Sequence, residues 1–340
     1  MTGTTDQQPP DDVAATVRSM RDALHLALDH ALASDPDVLL IGEDLADPGG
    51  GISQVTKGLS TTHGTDRVRD TPISEAAIVG AAIGAAMSGL RPVAEVMIMD
   101  FISIALDQLV NHAAKARFMS GGRLSVPMTV RTAVFGGIGS GATHSQTLEA
   151  WLAHIPGLKV VVPSTPADAK GLLTSCIFDD DPCVFIENVA LYGSTGPVPD
   201  GDHRVPLGTA DIKRRGSDVS IVTYGRTVRD ALTAAADVAD DGVDVEVVDL
   251  RTLVPFDADA VLESAARTRR VIVAHHATRF AGFGAEVASV VNEELFGQLE
   301  APVRRIGALF APIGSAATLE AAVMPSAGTI ADAVRAIVEH

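Results

Sequence analysis

Cysteine is nearly missing from these 340 residues: Cys176 and Cys183 are the only two. That is too few for a disulfide scaffold, and no Cys/His cluster has zinc spacing. Both read as buried thiols in a reducing compartment. Basic residues are scarce, with 26 Lys+Arg against 43 Asp+Glu and a net charge of −17. Such a chain repels nucleic-acid phosphates and anionic membrane surfaces, so neither is expected as a partner. No apolar run reaches the ~20 residues needed to cross a bilayer. The start lacks the basic stretch and apolar core of a secretory signal. A cytoplasmic location and a loose arm over 1–13 are the expectations. Neither a Gly-x-x-x-x-Gly-Lys-Ser/Thr loop nor a helix-opening Gly-x-Gly-x-x-Gly occurs, and Gly282-Phe283-Gly284-Ala285-Glu286 lacks the rest of a dinucleotide fingerprint.

The chain carries 46% hydrophobic and 20% charged residues, a composition that folds. At about 150 residues per domain, its length suggests two domains. Strand-length apolar runs alternate with segments of helical period, which is the signature of parallel sheets covered by helices. A helical stretch over 15–34 precedes a strand at Val38–Ile41. Glu75–Leu90 follows as a helix almost without side-chain bulk, then a strand at Pro92–Ile98 and a helix over Ile102–Met119. Further strands and helices bring this α/β domain, 14–192, to a Gly/Pro-rich stretch at 193–216 that reads as a linker. A second alternating series then makes a smaller α/β domain over 217–340.

Several residues could carry chemistry. Glu75 opens the small-residue helix, either as an acid favoured by the helix dipole or as a functional carboxylate. His144 lies in the Gly-rich loop Gly139-Ser140-Gly141-Ala142-Thr143-His144 and is a general acid/base candidate, with ordinary loop hydrogen bonding as the alternative. With aromatics at only 4% of the chain, Phe101 at a strand-to-helix junction is notable, although a core phenylalanine explains it in isolation. Asp179-Asp180-Asp181 suits a hard cation or a solvated loop. His275 and His276 project in opposite directions if they continue a strand, which argues against joint metal ligation.

These pieces together form a pattern. Arg69-Asp70-Thr71-Pro72-Ile73-Ser74-Glu75, Gly89-Leu90-Arg91-Pro92-Val93-Ala94-Glu95, Asp107-Gln108 with Asn111, and His144-Ser145-Gln146 occur in order. Pro156-Gly157-Leu158-Lys159-Val160-Val161-Val162-Pro163, Asp168-Ala169-Lys170-Gly171 and Asp249-Leu250-Arg251-Thr252-Leu253 follow. The chain resembles, over nearly its whole length, the β subunit of the decarboxylating component of 2-oxo acid dehydrogenase complexes, shared by pyruvate, branched-chain and acetoin dehydrogenases. The resemblance implies a transketolase-like architecture: a thiamine diphosphate pyrimidine-binding domain with a parallel sheet, plus a smaller transketolase C-terminal-like α/β domain. It implies that Glu75 hydrogen-bonds a ring nitrogen of the coenzyme's aminopyrimidine, that Phe101 stacks on that ring, and that His144 lies near the reacting substrate and acyl acceptor. It also implies that Glu43 helps link paired active sites, and that Met128, Cys176, Asp179 and Asp181 surround a structural potassium ion, chiefly through carbonyls.

Missing from the chain is Gly-Asp-Gly with a downstream Asn, which relatives use to hold magnesium and the coenzyme diphosphate. In the family that element lies on a separate α subunit, so the resemblance implies an α₂β₂ assembly. The substrate class it implies is a 2-oxo acid or acyloin, with transfer to a lipoyl group. Two departures stand out: His275-His276-Ala277 where relatives commonly have His-Glu-Ala, and Pro312-Ile313-Gly314-Ser315 in place of a Pro-x-Pro-Tyr-like segment. Both fall in the domain that anchors the lipoyl acyltransferase core in relatives. They keep open an acyloin-forming carboligase without a lipoyl acceptor; a non-catalytic assembly subunit is a separate alternative, against which the presence of both Glu75 and His144 argues.

Overall fold

The computed structural model describes residues 15–339, so the arm expected over 1–13 lies outside the described residues. The first sheet has seven strands in the order Thr252–Val254, Lys159–Val161, Cys183–Asn188, Thr129–Val134, Arg91–Val96, Val38–Gly42 and Val68–Asp70. All neighbours run parallel except Thr252–Val254, which is antiparallel to Lys159–Val161. Thr129–Val134 and Cys183–Asn188 are buried at every position, as central parallel strands covered on both faces must be. Helix Met20–Ser34 and helix Pro166–Ile177 cover one face, where Leu24, Ala27 and Leu28 share a core with Ala169, Leu172 and Leu173. The Ser19 hydroxyl caps the first helix by accepting from the Asp22 amide, and Thr165 caps the second with Pro166 in its first turn.

The second sheet runs Arg304–Ala308, Val271–Thr278, Val219–Thr223, Val245–Asp249, Asp211–Arg214, with only the last strand antiparallel. Helix Ala327–Val338, opened by a Ser326/Thr329 capping box, packs Ile330, Val334 and Ile337 onto it.

Two expectations need correction. The 15–34 stretch is not helical throughout: Ala15–Ser19 is a strand. Nor is 193–216 a bare linker, because it contains Thr195–Pro199, which pairs antiparallel with Ala15–Ser19, and Asp211–Arg214, the edge of the second sheet. Pro197 and Pro199 are tolerated because this is a two-stranded ribbon. The two domains are also interleaved, since Thr252–Val254 returns from the second series to edge the first sheet. Arg251 donates to Asp168 at 3.0 Å, Lys213 to the other Asp168 oxygen at 2.6 Å, and the Tyr224 hydroxyl to buried Glu149 at 2.7 Å.

His275 and His276 do part company. His276 Nε2 meets Asp230 at 2.8 Å, while His275 Nδ1 donates to the Ala277 carbonyl at 3.0 Å and its ring stacks on Tyr224 at 5.8 Å. Gly282 and Gly284 make room for the His275 ring: a Cβ on either would come within 2.7 Å of it. Burial depresses the His275 pKa to about 4. As pH falls from about 6.5 toward 4, the unfolded chain therefore takes up a proton that the folded chain refuses, and stability is lost. The loss is about 2–3 kcal/mol. Asp249, raised to about 7 by burial, has the opposite slope, because the folded form holds the proton more tightly. Guanidinium denaturation of the wild type and His275→Gln from pH 7 to 4.5 isolates the His275 part. The expected result is a shallower acid-side loss of stability in the variant; equal slopes would contradict it.

Candidate active site

Four adjacent parallel strands, Thr129–Val134, Arg91–Val96, Val38–Gly42 and Val68–Asp70, deliver the site residues from the loops after their carboxyl ends. His144, Phe101, Glu43 and Glu75 follow those strands respectively. The chain enters this sheet at Val38–Gly42 and extends to both sides of it, so a crevice opens where parallel α/β sheets place their ligands.

Glu75 is the first residue of helix Glu75–Met87, and the preceding Ser74 gives no side-chain cap. Its carboxylate therefore stands at the positive end of the helix. It is 6% exposed and forms neither an ion pair nor a side-chain hydrogen bond among the described residues. Buried residues Ile78, Val79, Ala82, Ile83 and Ala86 hold the helix to the core. Glu43 is its neighbour: its pKa is raised by burial, then by the negative charge of Glu75 and of Asp44, and lowered by a hydrogen bond from the Ser74 amide.

Phe101 closes the short turn Met99–Phe101 and meets the His144 ring edge-on, centroids 5.3 Å apart and planes at 82°. The Thr143 hydroxyl lies 3.0 Å from His144 Nδ1. Asp100 Oδ1 accepts from the Gln146 side-chain amide at 2.8 Å and from its backbone N–H at 3.3 Å. This clasp is not visible in the sequence, although Asp100 adjoins Phe101 and Gln146 stands two residues after His144. The structure thus makes two pairs, Glu43 with Glu75 and Phe101 with His144.

Below the loops, buried Arg131 binds Glu187 through two hydrogen bonds, 2.7 and 3.0 Å, and Glu95 through a third of 2.6 Å. The Tyr192 hydroxyl adds another to Glu187. Burial opposes the guanidinium charge, but Glu187 and Glu95 outweigh it and hold Arg131 protonated. Removing one partner of such a buried cluster costs about 3–5 kcal/mol, which keeps the strand ends beneath the site in register. Sequence patterning gave no sign of this cluster, because its members sit on separate strands.

The fit to a thiamine coenzyme can be tested on buried polar atoms that lack a protein partner. Thr71 Oγ1, Asp100 Oδ2 and Ser145 Oγ are such atoms, and they lie four, one and one residues from Glu75, Phe101 and His144 respectively. Buried acceptors and hydroxyls without partners are costly unless a ligand supplies them. With a buried carboxylate and an aromatic ring, these hydroxyls and this carboxylate oxygen fit an aminopyrimidine, whose amino group donates and whose ring nitrogens accept. The expected potassium residues fit less well. Met128, Cys176, Asp179 and Asp181 do converge, but Asp179 is held by Lys159 at 2.6 and 2.7 Å and Asp181 by Arg117 at 2.5 Å. The Met128 and Cys176 carbonyls accept from the Cys183 and Asp179 amides. Asp180 pairs with Arg91 at 2.9 Å, so the acidic run is neither a bare loop nor a side-chain cation cage. Among the described residues no cluster of three His, Cys, Asp or Glu could hold a metal.

Fold and site define a transketolase-like protein. Residues 17–195 match the transketolase pyrimidine-binding domain, and residues 208–330 match the transketolase C-terminal domain. The acetoin:2,6-dichlorophenolindophenol oxidoreductase β subunit of Cupriavidus necator is 46% identical over 93% of this chain and 96% of its own. The mitochondrial pyruvate dehydrogenase E1 β subunit of Caenorhabditis elegans is 43% identical over 95% and 93%. A solved split-gene transketolase, an inactive β4 tetramer, superposes with a TM-score of 0.78 at 24% identity, covering 94% of this chain and 98% of that one. The chain belongs to the family of β subunits of thiamine diphosphate-dependent 2-oxo acid and acetoin dehydrogenase components.

Proposed function

We propose that this chain is the β subunit of a cytoplasmic acetoin or 2-oxo acid dehydrogenase component, active in an α₂β₂ assembly whose α subunit holds Mg²⁺ and the coenzyme diphosphate. The observation that carries it is Glu75, a buried carboxylate without an ion pair among the described residues, set beside Glu43 at the carboxyl edge of a parallel sheet. When bound, the coenzyme supplies the electron sink for cleaving a carbon–carbon bond next to a carbonyl. Glu75 shares a proton with a nitrogen of the aminopyrimidine, an interaction strengthened in a dry site. Phe101 offers the ring that stacks on it. His144, held between Phe101 and Thr143, moves a proton at its imidazole to or from the reacting substrate and the lipoyl acceptor.

The outer face of helix Glu75–Met87, with Ala77, Ala81 and Gly84 exposed and the space beyond Gly84 open, suits close packing against another subunit. Docking to a lipoyl acyltransferase core belongs to the same reading. The test is product analysis. The α/β pair is incubated with acetoin, pyruvate or branched-chain 2-oxo acids, with and without a lipoyl domain, and the products are identified by mass spectrometry. Acylated lipoyl domain is the expected product. Acyloin formed with no lipoyl acylation would replace the dehydrogenase reading by the carboligase one.

A further inference from the structure

The loop that carries His144 is held by the other domain. Residues 136–141 run along the segment 315–324: a Cβ on Gly139 would lie 3.1 Å from the Ser315 carbonyl, one on Gly141 3.6 Å from the Ser315 Cβ, and one on Gly136 3.6 Å from the Met324 methyl. Gly137 and Gly139 adopt φ of +95° and +79°, a conformation that only glycine takes readily. Their N–H groups converge on one carboxylate, Gly137 donating to Glu320 Oε1 at 2.6 Å and Gly139 to Oε2 at 3.1 Å. This is an anion nest whose anion is a side chain of the C-terminal domain. Arg226 adds a hydrogen bond to the Gly136 carbonyl at 3.2 Å.

Glu320 is 7% exposed and pairs with no cation among the described residues. A carboxylate so removed from water needs strong donors, and the two loop amides are its hydrogen-bond partners. Downstream, the His144 amide donates to the Gly141 carbonyl at 3.2 Å, and Gln146 is clasped by Asp100. His144 therefore lies between two anchors, Glu320 before it and Asp100 after it.

We propose that Glu320 is a positioning residue: by binding the Gly137 and Gly139 amides, it lets the C-terminal domain set where the His144 imidazole stands. The proposal deepens, and rests on, the reading of His144 as the group that acts on the reacting substrate. The nearly isosteric Glu320→Gln keeps one acceptor and turns an NH₂ group toward the other glycine amide. In the assembled α/β enzyme, hydrogen exchange across 136–146 is expected to quicken at least tenfold while the melting temperature holds. A misplacement of an ångström can cost ~100-fold in rate, so kcat falls ten- to hundredfold with KM and coenzyme affinity changed less than about twofold. Combined with His144→Ala, Glu320→Gln adds no further loss, because both act through one group. Gly139→Ala, which loosens the same contact from the loop side, reproduces the kcat loss.

Unchanged exchange in Glu320→Gln overturns the proposal, as does a kcat loss that multiplies with that of His144→Ala. Full turnover by His144→Ala alone instead overturns the functional reading of that residue. The exchange measurement judges the tether independently of that outcome.

Discussion

Glu75→Gln lowers turnover of the assembled α/β enzyme by about 10³-fold, within the range that proton transfer by a positioned side chain supplies, and does so without loss of stability. Glutamine fills the same volume and can still hydrogen-bond a ring nitrogen, but it cannot hold and return the proton. The effect on stability separates function from architecture. If Glu75 served only to favour its helix dipole, neutralising it would destabilise the protein by about 0.3–1 kcal/mol and leave activity intact. The environment says otherwise: Glu75 is buried beside Glu43, whose pKa it helps to raise. Neutralising it relieves a like-charge contact, so the melting temperature holds or rises as activity falls. Residues retained at a cost in stability are the mark of a working site. Steady-state kinetics and calorimetry on the same preparation check both halves; a lowered melting temperature with normal turnover would contradict the assignment.

Helices and central strands were legible because their signals are local. Helix Glu75–Met87 begins where its small-residue pattern places it, and strand Val38–Gly42 outruns its expected end by one residue. Elements missed or misread depend on partners far away in sequence. Ala15–Ser19 is a strand because Thr195–Pro199 lies beside it, and Thr252–Val254 because Lys159–Val161 offers an edge. The motif residues are visible in the sequence, but the contacts they make are not. Arg251 reaches Asp168 across the domain boundary. Each aspartate of 179–181 meets a different basic residue. The Gly-rich loop before His144 reads as flexible, whereas its glycines are the positions where Glu320 and the 315–324 segment come close. Composition showed the glycines; only the fold shows what they admit.

The second large effect concerns what this chain lacks. Glu43, Asp44, Glu75 and Asp100 all follow the carboxyl ends of adjacent strands, in a protein of net charge −17. A diphosphate brought there meets like charge, and the chain has no Gly-Asp-Gly element to bring magnesium with it. The residues gathered here suit the pyrimidine end of the coenzyme and not its phosphate end. Titration calorimetry of thiamine diphosphate with Mg²⁺ into the purified chain, and then into the chain reconstituted with its α subunit, tests this division most directly. The account predicts no saturable binding below about millimolar and no turnover for the chain by itself, with affinity at least ~10³-fold tighter, a gain of about 4 kcal/mol, once the α subunit is present. Micromolar binding and catalytic turnover by the chain without its partner would contradict it.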